Sequence, residues 1–256
     1  MDLELRGRVV LVTGGTDGLG LALSRRLVEE GARVALCARD EGRLDAARSE
    51  FAGHDVLVAR VDVTDGAALD GFVDATLERF GELHGVVSNA GRAVAGPVED
   101  ATDEQWLGDF ELKVLAAVRL ARRCAPHLAA SGGAIVNVLA ISAKAPDAGT
   151  TPTAASRAAG LALTKALSRE LGPRGVRVNA ILIGLIESGQ WERRAASTGA
   201  DVGEFYRALA QGAKVPLGRV GRASEFADLC TYLLSDRASY VTGAGINLDG
   251  GLSPVW

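Results

Sequence analysis

Short apolar runs alternate along the whole chain with longer segments of helical period. Val9–Thr13, Arg33–Cys37, Val56–Val61, Gly85–Ser88, Ala134–Leu139, Val176–Ile181 and Gly245–Leu248 are apolar through most of their length, a pattern that predicts strands covered on both faces. Between them, Leu19–Glu30, Glu41–Phe51, Ala67–Phe80, Thr102–Ala130, Thr153–Leu171 and Ala223–Ser235 read as helices. Gly31, Gly81, Gly132 and Gly172-Pro173 supply stop signals. Strands alternating with helices predict right-handed βαβ units. The expected fold is therefore α/β, with a doubly wound parallel seven-stranded sheet. No linker, repeat or low-complexity stretch divides residues 1–256, so a single domain is expected. The segment Glu187–Lys214 has irregular periodicity. In such a sheet it would lie outside the carboxyl ends of the strands, which predicts a substrate lid at about 187–214.

Composition narrows the function. The formal net charge is −4, which gives no electrostatic footprint for nucleic acid or an anionic membrane. No apolar run has the length to span a bilayer. Met1-Asp2-Leu3-Glu4 lacks the basic and apolar regions of a signal peptide. Cys37, Cys124 and Cys230 are odd in number and unpatterned, as expected of reduced thiols in the cytoplasm. No His/Cys/Asp cluster has metal-ligand spacing, so no metal is expected. His54, His84 and His127 read as surface residues.

The chemistry begins at the first strand–helix junction. Gly14, Gly18 and Gly20, with Thr16, Asp17 and Leu19 between them, follow a strand and open a helix. That context suits a pyrophosphate: one glycine for the tight turn, one for close backbone approach, one for helix packing, and a helix N-terminus facing the anion. Asp62-Val63 closes the third strand, Asn89-Ala90-Gly91 the fourth, and Asp249-Gly250-Gly251 lies near the end of the chain. As a set, these residues resemble the short-chain dehydrogenase/reductase family from about Leu5 to Ser253.

The resemblance implies a bound nicotinamide dinucleotide. Members that use NAD place an acidic residue at the end of the second strand. Here Ala38 and Arg39 stand there, and a guanidinium matches a 2′-phosphate in charge and geometry. NADP(H) is the expected cofactor, with NAD(H) as the alternative. Asp17 dissents, because several NADP-using relatives carry a basic residue at its position, and a carboxylate repels a phosphate unless Arg39 lies between them. Ile186 and Ser188 stand where the family meets the nicotinamide carboxamide and phosphate.

At the reacting end the resemblance implies a Ser, a Tyr, a Lys four residues beyond it, and an Asn in the preceding long helix. These positions fall on Ala140, Thr153, Arg157 and Lys113. All four are substituted. Ser142, two residues past Ala140, is a candidate replacement hydroxyl. Thr153 and Arg157 share a helix face, and Arg157 can still hydrogen-bond a ribose. Lys113 would place an ammonium in the cleft beside Arg157, which should lower its pKa. None of the three tyrosines lies near the expected place in sequence, but Tyr206 lies in the lid segment and could reach inward.

The expected protein is an NADP(H)-dependent oxidoreductase with a rebuilt active site. It would act on a small-molecule carbonyl or alcohol, or on an activated C=C or C=N bond. Two cations in the cleft suit an anionic substrate or transition state. A nucleotide-binding pseudoenzyme and a non-redox lyase or isomerase are the alternatives, since fold alone does not choose. The family resemblance also implies a homotetramer, or a dimer, formed across the two long helices. Ala116, Ala117, Ala121, Ala158, Ala159, Ala162 and Ala166 would supply the close-packed faces.

Overall fold

The computed structural model describes residues 2–256. Seven parallel strands form the main sheet: Val9–Thr13 (β1), Arg33–Ala38 (β2), Val56–Arg60 (β3), Gly85–Ser88 (β4), Ala134–Ala140 (β5), Arg177–Ile183 (β6) and Gly245–Leu248 (β7). Their spatial order is β3-β2-β1-β4-β5-β6-β7. Every strand expected from the sequence forms, three with the expected ends and the others with ends shifted by one or two residues.

The alternation of side chains builds both faces. Val10, Val12, Val34, Leu36, Val136 and Val138 point into one apolar layer. There they meet Leu23 and Leu27 of α1 (Gly18–Glu29), Ala47 of α2 (Glu41–Glu50) and Phe226 of α9 (Ala223–Leu234). Val9, Leu11, Ala35, Cys37 and Ile135 point into the other layer. That layer takes in Phe72 of α3 (Gly66–Phe80) and Leu120 of α5 (Ala116–Ser131), and is flanked by Leu167 of α6 (Thr153–Leu171). Burial of both faces explains why the strands read as continuous apolar runs.

The expected helix Thr102–Ala130 forms with an interruption. It begins as α4 (Asp103–Phe110), capped by Thr102 and Gln105, and passes through a π-helical turn, Glu111–Leu115, into α5. Lys113 sits in that turn. A π turn rotates the side chains after it relative to an ideal α-helix, and such turns gather at functional sites.

Three further expectations are corrected. Glu187–Lys214 is not irregular, since it holds two helices, α7 (Gly189–Thr198) and α8 (Val202–Gly212). Ala116, Ala117 and Ala121 pack into the chain's own core, so only Ala158, Ala162 and Ala166 of α6 offer an exposed small-residue face. His84 is not a surface residue. Its Nδ1 accepts a hydrogen bond from Val9 N at 3.1 Å, and its side chain is mostly covered. None of the helices among the described residues is long and apolar enough to cross a membrane.

Candidate active site

Beyond the carboxyl ends of the strands, where β1 and β4 lead in opposite directions, the structure opens a long cleft. One wall is the turn from Gly14 to Leu19. Gly14 has φ +67°, and a Cβ added at Gly20 would sit 2.1 Å from Gly14 O. Neither position accepts a side chain without moving the turn. Thr13 and Asn89 lock this turn to the end of β4. The Thr13 hydroxyl accepts from Asn89 N and Ala90 N and donates to Val87 O. Asn89 Nδ2 donates to Thr13 O and Gly14 O.

Asp17 is the N-cap of α1 but makes no side-chain cap bond. The first-turn N–H groups of the helix are thus left uncapped by it and available to an anion. The Asp17 carboxylate is turned aside, where Oδ2 accepts from Arg43 Nη1 at 2.8 Å and from Arg193 Nη1 at 3.0 Å. A Cβ added at Gly189, the first residue of α7, would lie 2.3 Å from Asp17 Oδ1. The start of α7 therefore rests directly on Asp17.

Arg39 lines the same end of the cleft as Asp17 but makes no ion pair with it. It pairs with Asp62 Oδ2 at 3.4 Å and is mostly exposed. Burial alone would raise the Asp62 carboxyl, but hydrogen bonds from Thr64 N, Thr64 Oγ1 and Arg39 bring it below the usual range. Thr16, Val63, Ala90, Gly91, Ile186 and Ser188 also line the cleft. Ser188 N donates to Tyr206 Oη at 3.2 Å, so Tyr206 braces the loop before α7 and does not reach the reacting end. The open cradle, the uncapped helix end and the arginines at one end fit a phosphorylated dinucleotide.

At the other end, Ala140, Thr153, Arg157 and Ile183 face the cleft. Lys113 does not. Its ammonium is buried behind Thr153, with side-chain exposure of 1%. Lys113 Nζ donates to Asp109 Oδ1 at 2.5 Å and to Thr153 Oγ1 at 2.8 Å. Ser156 Oγ donates to Asp109 Oδ2 at 2.5 Å. Thr153 Oγ1 also accepts from Val94 N at 2.9 Å and donates to Val94 O at 2.7 Å. That contact sits beside a short antiparallel pairing of Ala95–Gly96 with Thr151–Pro152, which ties the cleft loop to the start of α6.

Burial, reinforced by the nearby Arg157 guanidinium, pushes the Lys113 ammonium down to about 8, against the pull of Asp109. Burial also pushes Arg157 down to about 10. Arg157 Nη1 donates to Val138 O at 2.5 Å. Its Nε and the Ser88 hydroxyl are shielded from solvent without a protein partner. Both residues line one interior cavity of about 20 Å³, together with Lys113 and Asn137. That is room for about one water molecule.

The structure thus brings together Thr153, Arg157 and, one layer back, Lys113. Ser142 lies in the short turn after β5 and is not part of the cleft lining. Asp109 and Ser156 were missed by the sequence reading. The spacing Asp109…Lys113 was a usable signal, because charges four apart on a helix meet. Arg43 and Arg193 were missed as well, and nothing in local spacing places them at Asp17.

A family model described as enoyl-(acyl carrier protein) reductase matches residues 14–253. The chain belongs to the short-chain dehydrogenase/reductase family of oxidoreductases. It is 35% identical to the granaticin polyketide synthase putative ketoacyl reductase 1 of Streptomyces violaceoruber, over 95% of this chain and 92% of that protein. Among solved structures, it resembles the NADPH-bound short-chain oxidoreductase of Pseudomonas aeruginosa PAO1, described as containing an atypical catalytic center. The identity is 37%, the coverage 97% and 98%, and the TM-score 0.91. The L-sorbose reductase of Gluconobacter frateurii, complexed with NADPH and L-sorbose, is 32% identical over 100% of both chains, with a TM-score of 0.93.

Proposed function

We propose that this protein is an NADP(H)-dependent oxidoreductase whose proton chemistry runs through Lys113 and Thr153. The observation that carries this reading is the 2.8 Å contact between Lys113 Nζ and the Thr153 hydroxyl, which faces the cleft. Relatives with solved NADPH complexes support the cofactor assignment. Gly14, Thr16, Asp17, Gly18, Leu19, Gly20, Arg39, Asp62, Val63, Asn89, Ala90, Gly91, Ile186 and Ser188 would hold the dinucleotide, with Arg157 beneath it at the reacting end.

When bound, the reduced nicotinamide supplies a hydride. This chain's part is to stabilise and protonate what the hydride creates. Thr153 alone is too weak an acid for this, but a hydroxyl can pass a proton in one concerted step. Lys113 Nζ gives its proton to Thr153 Oγ1 as the Thr153 hydroxyl proton passes to the substrate anion. The lysine is left as a neutral amine beside the Asp109 carboxylate. Transfer requires the hydroxyl to turn from Val94 O toward the cleft, a rotation about one bond. A donor with a pKa of about 8 is well matched to work near neutral pH. Arg157 and Lys113 together favour negative charge at this end, which suits an oxyanion or enolate.

The walls here include Ala93, Ala140, Ile183, Ile186 and Trp191. They fit a small carbonyl compound, its alcohol, or an activated C=C or C=N bond. Residues 187–214 would form the lid over it. We expect a cytoplasmic homotetramer, or a dimer, with the exposed alanines of α6 at its interface.

The test is hydride transfer. Purified protein should oxidise NADPH with some member of a broad carbonyl, enone and imine panel. Arg39→Ala should weaken NADPH relative to NADH, and an unchanged ratio would remove Arg39 from recognition of the 2′-phosphate. One observation favours the pseudoenzyme reading: the Thr153 hydroxyl already makes three hydrogen bonds. NADPH binding without turnover across that panel would favour it decisively.

A further inference from the structure

Asp17 is the residue that argues against NADP(H) in the sequence, yet its carboxylate faces two arginines and not the cleft alone. Arg43 comes from the first turn of α2 and Arg193 from the middle of α7, and both donate to the same oxygen, Asp17 Oδ2. Arg39, Asp40, Arg43, Asp17, Gly189 and Arg193 line one end of the cleft. Among these groups the formal charges are three positive and two negative, before Asp62 is counted against Arg39.

We propose that Arg43 and Arg193 are ligands of the cofactor's 2′-phosphate, and that Asp17 holds them until the phosphate takes them over. This rests on the NADP(H) reading above. The exchange is physically easy. Exposed ion pairs are weak, and all three side chains here are substantially exposed. A phosphate monoester carries about −1.5 to −2 charge at neutral pH and three acceptor oxygens. It binds two guanidinium groups better than one carboxylate oxygen does, and bidentate pairing adds to the difference. Asp17 is then a competitor for the arginines, not a bar to the phosphate.

The arrangement also links cofactor choice to the lid. Arg193 and Gly189 are the contacts of α7 with Asp17, and Gly189 admits no side chain at this surface. A ligand that pulls Arg193 inward closes α7 over the nucleotide. NADH lacks the group that would do this.

The experiment measures binding of 2′,5′-ADP and 5′-ADP by calorimetry at fixed low salt, which separates phosphate recognition from turnover. Wild-type protein should prefer 2′,5′-ADP. Arg43→Ala and Arg193→Ala should each weaken 2′,5′-ADP about tenfold, the scale of a charge-assisted hydrogen bond, and change 5′-ADP less than about twofold. Asp17→Asn should tighten 2′,5′-ADP several-fold relative to 5′-ADP. Hydrogen exchange of residues 189–198 should speed up in free Asp17→Asn and slow again on adding 2′,5′-ADP.

If wild-type protein shows no preference for 2′,5′-ADP, the NADP(H) reading fails and this inference with it. If the preference exists but only Arg39→Ala erases it, the NADP(H) reading stands and the role of Arg43 and Arg193 is overturned. Weaker 2′,5′-ADP binding in Asp17→Asn, or unchanged exchange at 189–198, overturns the exchange of partners.

Discussion

The two ends of the cleft are built from different materials. At the glycine turn, the cleft wall is main chain, positioned by close packing of Gly14 and Gly20 and by the Thr13–Asn89 hydrogen bonds. At the reacting end it is made of side chains, and each depends on a neighbour. Thr153 depends on Val94 and Lys113, and Lys113 depends on Asp109. Backbone sites tolerate many side-chain changes but few changes of shape. Side-chain sites can be rewritten while the fold persists, provided every buried charge keeps a partner. Such a division would let the reacting end change its residues while the nucleotide cradle keeps its form.

The contrast breaks first at Lys113. Lys113→Met should lower kcat by about 10²–10⁴-fold, the range for a lost general acid. It should also destabilise the fold by about 3–5 kcal/mol in denaturant unfolding, because the buried Asp109 carboxylate loses its cation. Asp109→Asn combined with Lys113→Met should recover most of the stability and none of the activity. Recovery of activity in the double variant would mean that Lys113 is only a structural counter-ion.

At the opposite end, Gly20→Ala tests shape instead of charge. The added methyl would meet Gly14 O at a distance no folded turn accepts. The turn must shift, at about 1–3 kcal/mol, and NADPH affinity should fall at least tenfold with the substrate KM little changed. A variant that binds NADPH normally would show that the cradle is more plastic than its packing implies.

Those two residues also show what was legible in the chain. The glycine turn, the sheet and its strand ends follow from local period and turn chemistry, so they were read nearly residue by residue. Thr153 and Arg157 lie on one helix in fixed register, and both line the cleft. Lys113 was placed in the cleft, and lies behind it. The reason is the π turn at Glu111–Leu115, which no apolar spacing announces and which carries Lys113 inward to Asp109 and Thr153. Long-range pairings were illegible for the same reason. Arg193 is 176 residues from Asp17, and only the folded chain joins them.

A third prediction separates charge from shape through pH. Lys113 is held at about 8 in the fold, below the ordinary lysine value of 10.5. Above about pH 8 the folded protein releases this proton while the unfolded chain still holds it, so this group makes stability rise with pH between those values. Below about 8 both states are protonated and the burial penalty is fully present. Activity should run the opposite way. If the ammonium is the proton donor, kcat for reduction falls as pH rises through about 8, while NADPH binding at the backbone end stays level. Thermal unfolding and kcat, followed from pH 6.5 to 9.5, check both signs at once. A flat kcat profile with the chemical step rate-limiting would remove Lys113 from proton transfer.

The smallest effect is expected at Ser142. It is the one hydroxyl near Ala140 in sequence, and a family-like serine role would make Ser142→Ala costly. In the structure the turn Ile141–Ala143 carries it off the cleft lining. The substitution should therefore act like an ordinary change away from a site, within about 0.5 kcal/mol, or roughly twofold in kcat/KM. The comparison with Lys113→Met is informative because both residues are polar and lie close to Thr153 or Ala140 in the chain or the fold. Only Lys113 is connected to the cleft by an unbroken chain of hydrogen bonds. A large loss in Ser142→Ala would mean that the turn after β5 rearranges when substrate binds, so that the reacting end is completed by movement and not by the buried Asp109–Lys113–Thr153 chain alone.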